Sequence, residues 1–465
     1  MRDAEDNAST NASAPDLARR LGLFDATMIV MGGIVGSGIF MNPYVVARQV
    51  HTPFLILGTW AAGGLIALLG AFIYAELAER RPRVGGQYAY IREAYHPLLA
   101  FIYAWGLLLV TQTGGMAAVA VTFARYFREL TRAPLADGTV AVLALAGLTA
   151  INCLGVRAGS GVQSLLMLLK ILAILALIAC GFLFADAAAP GAAGAGTGRL
   201  LDRPVSFGLL TAIGAALVPV LFAYGGWQTA SFIAGEVREP RRNLPRGLIF
   251  GVTGVVALYL AVNYVCIRVL GTSGLEATVT PASDVMKAAL GERGARLIAA
   301  GIAVSTLGFL SQSMLTAPRV YYAMAKDGLF FKGVAWLHPR TRVPVVAIVL
   351  QGVWAALIAV SGRYEQILNY VVSVDWIFFG LAAGCLFVLR RRDLGESGRA
   401  VAQHAMPGHP VTTALFVAVS ALVVVSTAYT YPAHSAVGLG ILLAGVPAYG
   451  LWRWRDARWA KREGS

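Results

Sequence analysis

MGGIVGSGIF, residues 31–40, places Gly32, Gly33, Gly36, Gly38 and a serine inside a run that is otherwise as apolar as a membrane span. Helix-breaking residues are costly there, because an N–H or C=O left unpaired in hydrocarbon costs several kcal/mol. Unwound backbone at membrane depth is tolerated only where it faces protein or a watery cavity. Close helix packing offers a simpler account, since Gly32 and Gly36 stand four apart and let two backbones approach. A second interrupted run favours the cavity reading: residues 208–234 carry FAYGGWQTA at their centre, with Gly225 and Gly226 adjacent. One broken helix in each half of a chain marks the binding site of a secondary transporter.

Composition supports the membrane setting. Of the 465 residues, 57% are hydrophobic and only 13% charged, and apolar runs near the ~20 residues needed to cross a bilayer recur throughout. Twelve spans are expected, over 25–49, 54–78, 97–124, 138–155, 161–185, 208–234, 247–270, 296–318, 343–361, 366–389, 411–429 and 434–452. They form one all-α transmembrane domain over 21–455, between cytosolic tails at 1–20 and 456–465. The polar, acidic start MRDAEDNASTNASAPDLARR lacks the basic opening and cleavage site of a signal peptide. Spans one to five (25–185) and six to ten (208–389) read as two inverted repeats separated by the linker ADAAAPGAAGAGTG. Helices 411–452 are then additional.

Orientation follows from lysine and arginine. Of the 38, the loops on the N-terminal side carry 26 and the opposite side 11, with Lys170 inside a span. Both termini are therefore expected in the cytosol, and the net charge of +14 suits an anionic inner leaflet, not a nucleic acid. Cys153, Cys180, Cys266 and Cys385 share no metal-ligand or redox spacing, and the six histidines form no ligand pair. No metal and no cofactor are expected. Gly36-Ser37-Gly38 superficially resembles a hydrolase elbow, but no strand precedes it, which argues against an enzyme.

The physics of the breaks suggests a ligand. Half-helix N-termini offer free N–H groups and a positive dipole end to a carboxylate, whereas carbonyls at half-helix C-termini accept an ammonium. A zwitterionic amino acid carries both charges close together. Lys170, in SLLMLLKILAI, lies about 13 Å into its span by helical rise. An ionisable group at that depth is a functional candidate by default. Asp375, inside the tenth span, is a candidate for gating or coupling. Glu76, Glu79, Glu236 and Glu239 stand beside arginines at span ends, where salt bridges or helix caps account for them.

At GGIVGSGIF, VGGQYAYIREAY, LFAYGGWQTASFIAGEVREPRRNLPRG and SQSMLTAPRVYYAMAKDG the chain resembles the amino acid-polyamine-organocation superfamily, and within it the L-type amino acid transporters. The likeness covers about residues 17–390 in the expected order. It implies a leucine-transporter-like five-plus-five fold with discontinuous helices 1 and 6, working by alternating access. Carried over by position, it implies that Ile34, Val35, Gly36, Ser37 and Gly38 hold the substrate carboxylate and part of the amine. Phe222, Ala223, Tyr224 and Gly225 would supply carbonyls to the ammonium and walls to the side-chain pocket, with Phe222 as an aromatic gate. Trp227, Phe309, Ser313 and Trp376 match further pocket positions. Lys170 matches a lysine that replaces sodium, tying the fifth helix to the first break.

The expected activity is sodium-independent exchange of neutral L-amino acids across a cytoplasmic membrane. Proton-coupled symport is the alternative, and a non-transporting amino acid sensor a more distant one. The pocket is expected to hold no acid for a cationic side chain. The outer loop RYFRELTRAPLADG has no cysteine for the disulfide that links animal L-type members to a heavy chain, so no such partner is expected.

Overall fold

The computed structural model describes residues 17–186, 200–201, 203–361, 364–395, 402–430 and 432–463. Its helices are α1 (Leu23–Ile34), α2 (Gly38–Ala47), α3 (Pro53–Arg80), α4 (Gln87–Ala94), α5 (Pro97–Gly106), α6 (Gln112–Thr131), α7 (Asp137–Cys153) and α8 (Val156–Leu183). They continue as α9 (Phe207–Tyr224), α10 (Pro240–Ala277), α11 (Pro281–Thr316), α12 (Pro318–Lys326), α13 (Val345–Val360), α14 (Tyr364–Gly395), α15 (Val411–Thr430) and α16 (Pro432–Glu463). Every expected span is occupied by helix. Eight helical stretches are long and apolar enough to cross a membrane among the described residues, and the bent pair α1–α2 makes nine. The chain is a multi-pass, all-helical membrane protein.

The ends of several spans differ from expectation because helices run past the hydrocarbon into polar sequence. α10 extends over 240–277 where 247–270 was expected, and α11 starts at Pro281, fifteen positions before the apolar run at 296. Both bend at a glycine of positive φ, Gly271 in α10 and Gly291 in α11.

The two breaks fall where the glycines stand. α1 ends at Ile34, Val35 is extended, and α2 restarts at Gly38, the two halves meeting at 44°. α9 ends at Tyr224; Gly225 is extended, Gly226 takes φ 107°, and the chain continues as a 3-10 helix over Trp227–Glu236. The breaks touch. A Cβ on Gly226 would lie 2.0 Å from the Gly33 carbonyl oxygen, so only bare backbone fits at this crossing. α10 packs onto α1 by the same device, since side chains at Gly247 and Gly251 would meet Ala26 and Val30.

The end carrying the N-terminus is sealed by polar contacts. Residues 20–21 lie alongside 236–238, with the Arg20 and Leu21 N–H groups donating to the Glu236 carbonyl at 2.8 and 3.0 Å and the Arg238 N–H returning to Leu21 O at 2.8 Å. Glu76, wholly buried, receives Arg80 at 2.7 Å and Arg390 at 2.6 Å, and Asp393 receives Arg80 at 2.6 Å and Arg81 at 2.7 Å. Glu79 accepts the Gln403 and His404 N–H groups, while exposed Glu239 starts α10.

Arg319 at the head of α12 clamps Glu236 through Nε at 3.1 Å and Nη2 at 2.9 Å, and both side chains are 1% exposed. Removing one member strands a buried charge, at a cost of about 3–5 kcal/mol. Arg319→Ala is therefore expected to lower the thermal midpoint of the purified protein sharply. The apolar double replacement Arg319→Met with Glu236→Leu should recover most of the loss. A single variant as stable as wild type, by thermal unfolding in detergent, would remove this pair from the account.

Candidate functional site

The breaks and their neighbours enclose a cavity of about 140 Å³. Its lining includes Ile34, Gly36, Ser37, Gly38, Phe222, Ala223, Gly225, Phe309, Ser313, Asp375 and Trp376, eleven positions to which the sequence pointed. The N-terminus of α2 and the C-terminus of α9 meet on this wall, bringing a positive and a negative helix end to one small space. The first four N–H groups of a helix have no i−4 partner within it, so those at the start of α2 are available to an anion, apart from the Phe40 N–H, which turns back to Ser37 O at 3.1 Å.

Four other positions lie elsewhere, Lys170 among them. Val35 is wholly buried and its carbonyl is occupied by Lys170. Tyr224, 1% exposed, packs edge-on against Trp60 and tilted against Tyr259, ring centroids 5.8 and 5.0 Å away. Trp227 stacks on Phe379 at 5.4 Å and meets Tyr74 edge-on at 4.8 Å. The turn through Gly226 carries Trp227 behind the cavity, where it lines only a small adjoining gap with Tyr224.

Lys170 is wholly buried outside the cavity and donates from Nζ to Val35 O at 2.5 Å and to Gly32 O at 3.4 Å. Its position at the C-terminal end of α1 sets a positive charge against the negative end of that half-helix. Gly308 of α11 makes room for it, since a Cβ there would lie 2.5 Å from the Lys170 Cε. The other carbonyls of the first break are served from further helices. The Tyr259 hydroxyl lies 3.2 Å from Ile34 O and 3.3 Å from Ala223 O, within reach of both breaks, and Ser305 donates to Gly36 O at 3.2 Å. Protein groups thus occupy the carbonyls of Gly32, Val35 and Gly36, and the single Tyr259 O–H serves either Ile34 or Ala223, which leaves the first break mainly an N–H surface, suited to a carboxylate.

Several lining residues escaped the sequence reading. A π-helical turn over Leu107–Thr111, between α5 and α6, brings Thr111 and Gln112 to the cavity, and Gln228, Thr229 and Gln312 add amide and hydroxyl groups. Gln312 Nε2 donates to Thr229 Oγ1 at 2.5 Å, and Thr229 donates to Gly226 O at 2.6 Å. TQT at 111–113 and SQS at 311–313 are polar interruptions of apolar runs, which is the signal that points to them. Asp375 reverses one expectation outright, because the cavity does contain an acid.

Gly38 has little space, a Cβ there meeting Ala223 at 3.2 Å. Gly38→Val, branched at Cβ, is expected to raise the dissociation constant for the ligand at least about tenfold while the protein still inserts. Near-normal affinity by isothermal titration would separate this stretch from the binding site.

A family model described as amino acid permease matches residues 21–451. The serine/threonine exchanger SteT of Bacillus subtilis is 29% identical over 446 residues, covering 93% of this chain and 96% of that protein. The b(0,+)-type amino acid transporter 1 of Oryctolagus cuniculus is 30% identical over 401 residues, covering 84% and 80%. The human large neutral amino acids transporter small subunit 2 is 28% identical over 457 residues, covering 96% and 83%.

Proposed function

Since this chain belongs to the amino acid permease family, we propose that it exchanges small neutral L-amino acids across the cytoplasmic membrane, independently of sodium. The observation that carries this is the meeting of the α2 N-terminus and the α9 C-terminus on one cavity. The substrate carboxylate rests on the N–H groups at 36–38 and its ammonium on carbonyls at the end of α9. The cavity of about 140 Å³ falls below the roughly 300–1,000 Å³ of pockets for drug-sized ligands, which favours alanine, serine or threonine over bulky side chains. Thr111, Gln112 and Ser313 on the wall suit a hydroxyl. The serine/threonine exchanger among the relatives points the same way.

Residues 25–185 and 208–389 act as the two repeats, with both termini cytosolic. Lys170 stands where a coupling ion would otherwise hold the first break. Alternating access then consists of moving α1, α2 and α9 against the remaining helices, with the contacts around Glu236 released when the cytosolic side opens. The chain works without a disulfide-linked heavy chain.

Purified protein in proteoliposomes tests this. Efflux of labelled serine, alanine or threonine should require an amino acid on the opposite side and be indifferent to sodium. Uptake into empty vesicles driven by a pH gradient would favour proton symport instead.

A further inference from the structure

We propose that Gln163 sets how readily the cytosolic side opens, because its side-chain amide finds partners only when α1 leaves α8. This rests on the reading of the chain as an alternating-access exchanger. Gln163 precedes Lys170 by seven residues in α8, about two helical turns, and shares its buried face. It is wholly buried, and among the described residues neither its Nε2 nor its Oε1 has a hydrogen-bond partner. A glutamine amide offers two donors and an acceptor. A buried polar group left wholly unmet is rare enough in native proteins to need a physical reason.

The surroundings supply one. The amide faces the bare backbone of Gly32, where a Cβ would lie 1.9 Å from the Gln163 Nε2 and 3.7 Å from the Gln312 Cγ. Gln312 is committed elsewhere, its Nε2 donating to Thr229 at 2.5 Å and to Thr316 at 3.3 Å. The Gly32 carbonyl accepts from Lys170 at 3.4 Å. Gln163 is thus pressed against the part of α1 that precedes the first break, and the closed packing carries the cost of its unmet amide. Moving α1 away from α8 removes that cost, since the amide then meets water or the passing substrate. Two residues on one face of α8 therefore act on α1 in opposite senses: Lys170 holds the half-helix, and Gln163 loosens it. Gln163 is a positioning residue, acting on the substrate only through α1.

Gln163→Met, similar in length and lacking the amide, tests this on the full chain in detergent and in proteoliposomes. Its thermal midpoint should rise, while serine exchange should slow at least about fivefold, the shift expected when one unmet buried group is removed from the closed state alone. A role in packing only would move stability and exchange in the same direction. A variant that loses both, or one that exchanges at the wild-type rate, would overturn the proposal. A second measurement does not depend on that variant. Gln163→Cys, in protein whose four native cysteines are replaced by serine, should react with a membrane-impermeant maleimide supplied from the cytosolic side during exchange. No reaction from that side would show that position 163 stays buried throughout the cycle, and would overturn the proposal as well. Wild type that exchanges no amino acid would overturn the exchange reading by itself, while labelling at position 163 would still decide whether α1 leaves α8.

Discussion

Lys170→Ala is expected to lower amino acid exchange at least about tenfold while the amount of protein in the membrane is unchanged. The alanine leaves the carbonyls of Gly32 and Val35 without the ammonium that now reaches them at 3.4 and 2.5 Å. An unpaired buried acceptor costs about 1–3 kcal/mol, enough to move a two-state gating equilibrium severalfold to a hundredfold. The negative end of α1 also loses the charge opposite it. Lys170→Arg should not restore function, because the stem already passes within contact of Gly308 and the larger head has no space. Initial exchange rates in proteoliposomes at matched protein content measure the effect. Unchanged kinetics in the alanine variant, or wild-type flux that requires sodium, would remove the lysine from the role given to it.

Gly226→Ala should be more severe still, taking exchange to background. At φ 107° an L-residue is strained, and the new methyl would stand 2.0 Å from the Gly33 carbonyl oxygen and 2.6 Å from its carbon. Neither neighbour is a flexible side chain, so the two breaks must separate. Gly225→Ala, one residue away, is the control. Its φ of −64° is ordinary and its nearest contact, Phe222 O, lies at 3.3 Å. It should keep measurable exchange and penalise bulky amino acids more than alanine or serine. Equal activity in the 226 variant and wild type would show that the two breaks do not depend on backbone contact at Gly33.

Both breaks were legible in the sequence because clustered glycines interrupt one apolar run in each half of the chain, whereas glycines such as Gly247 and Gly251 serve helix packing. Lys170 was legible because a charge stands out against leucine and isoleucine. The direction of individual side chains was not. Trp227 follows the second break, and whether it faces the cavity depends on the turn taken at Gly226, which spacing does not encode. Tyr224 turns away for a packing reason, the pocket between Trp60 and Tyr259. Thr111 and Gln112 reach the cavity through a π-helical turn that shifts the helical phase, so periodicity alone misplaces them. Tyr259 gave no signal, since a tyrosine in an apolar helix reads as packing until its hydroxyl is found between the Ile34 and Ala223 carbonyls. The buried clamp of Arg319 on Glu236 joins residues 83 positions apart, beyond the reach of any local pattern.

The central claim is that an amino acid lies between the two breaks with its carboxylate on the N-terminus of α2. A structure of the protein in nanodiscs with serine bound tests it most directly. The account requires the serine carboxylate within about 2.7–3.2 Å of N–H groups at residues 36–38, with the ammonium towards the carbonyls of Leu221–Ala223. Serine bound with its carboxylate away from Gly36, Ser37 and Gly38, or seated outside the cavity between α2 and α9, would contradict it.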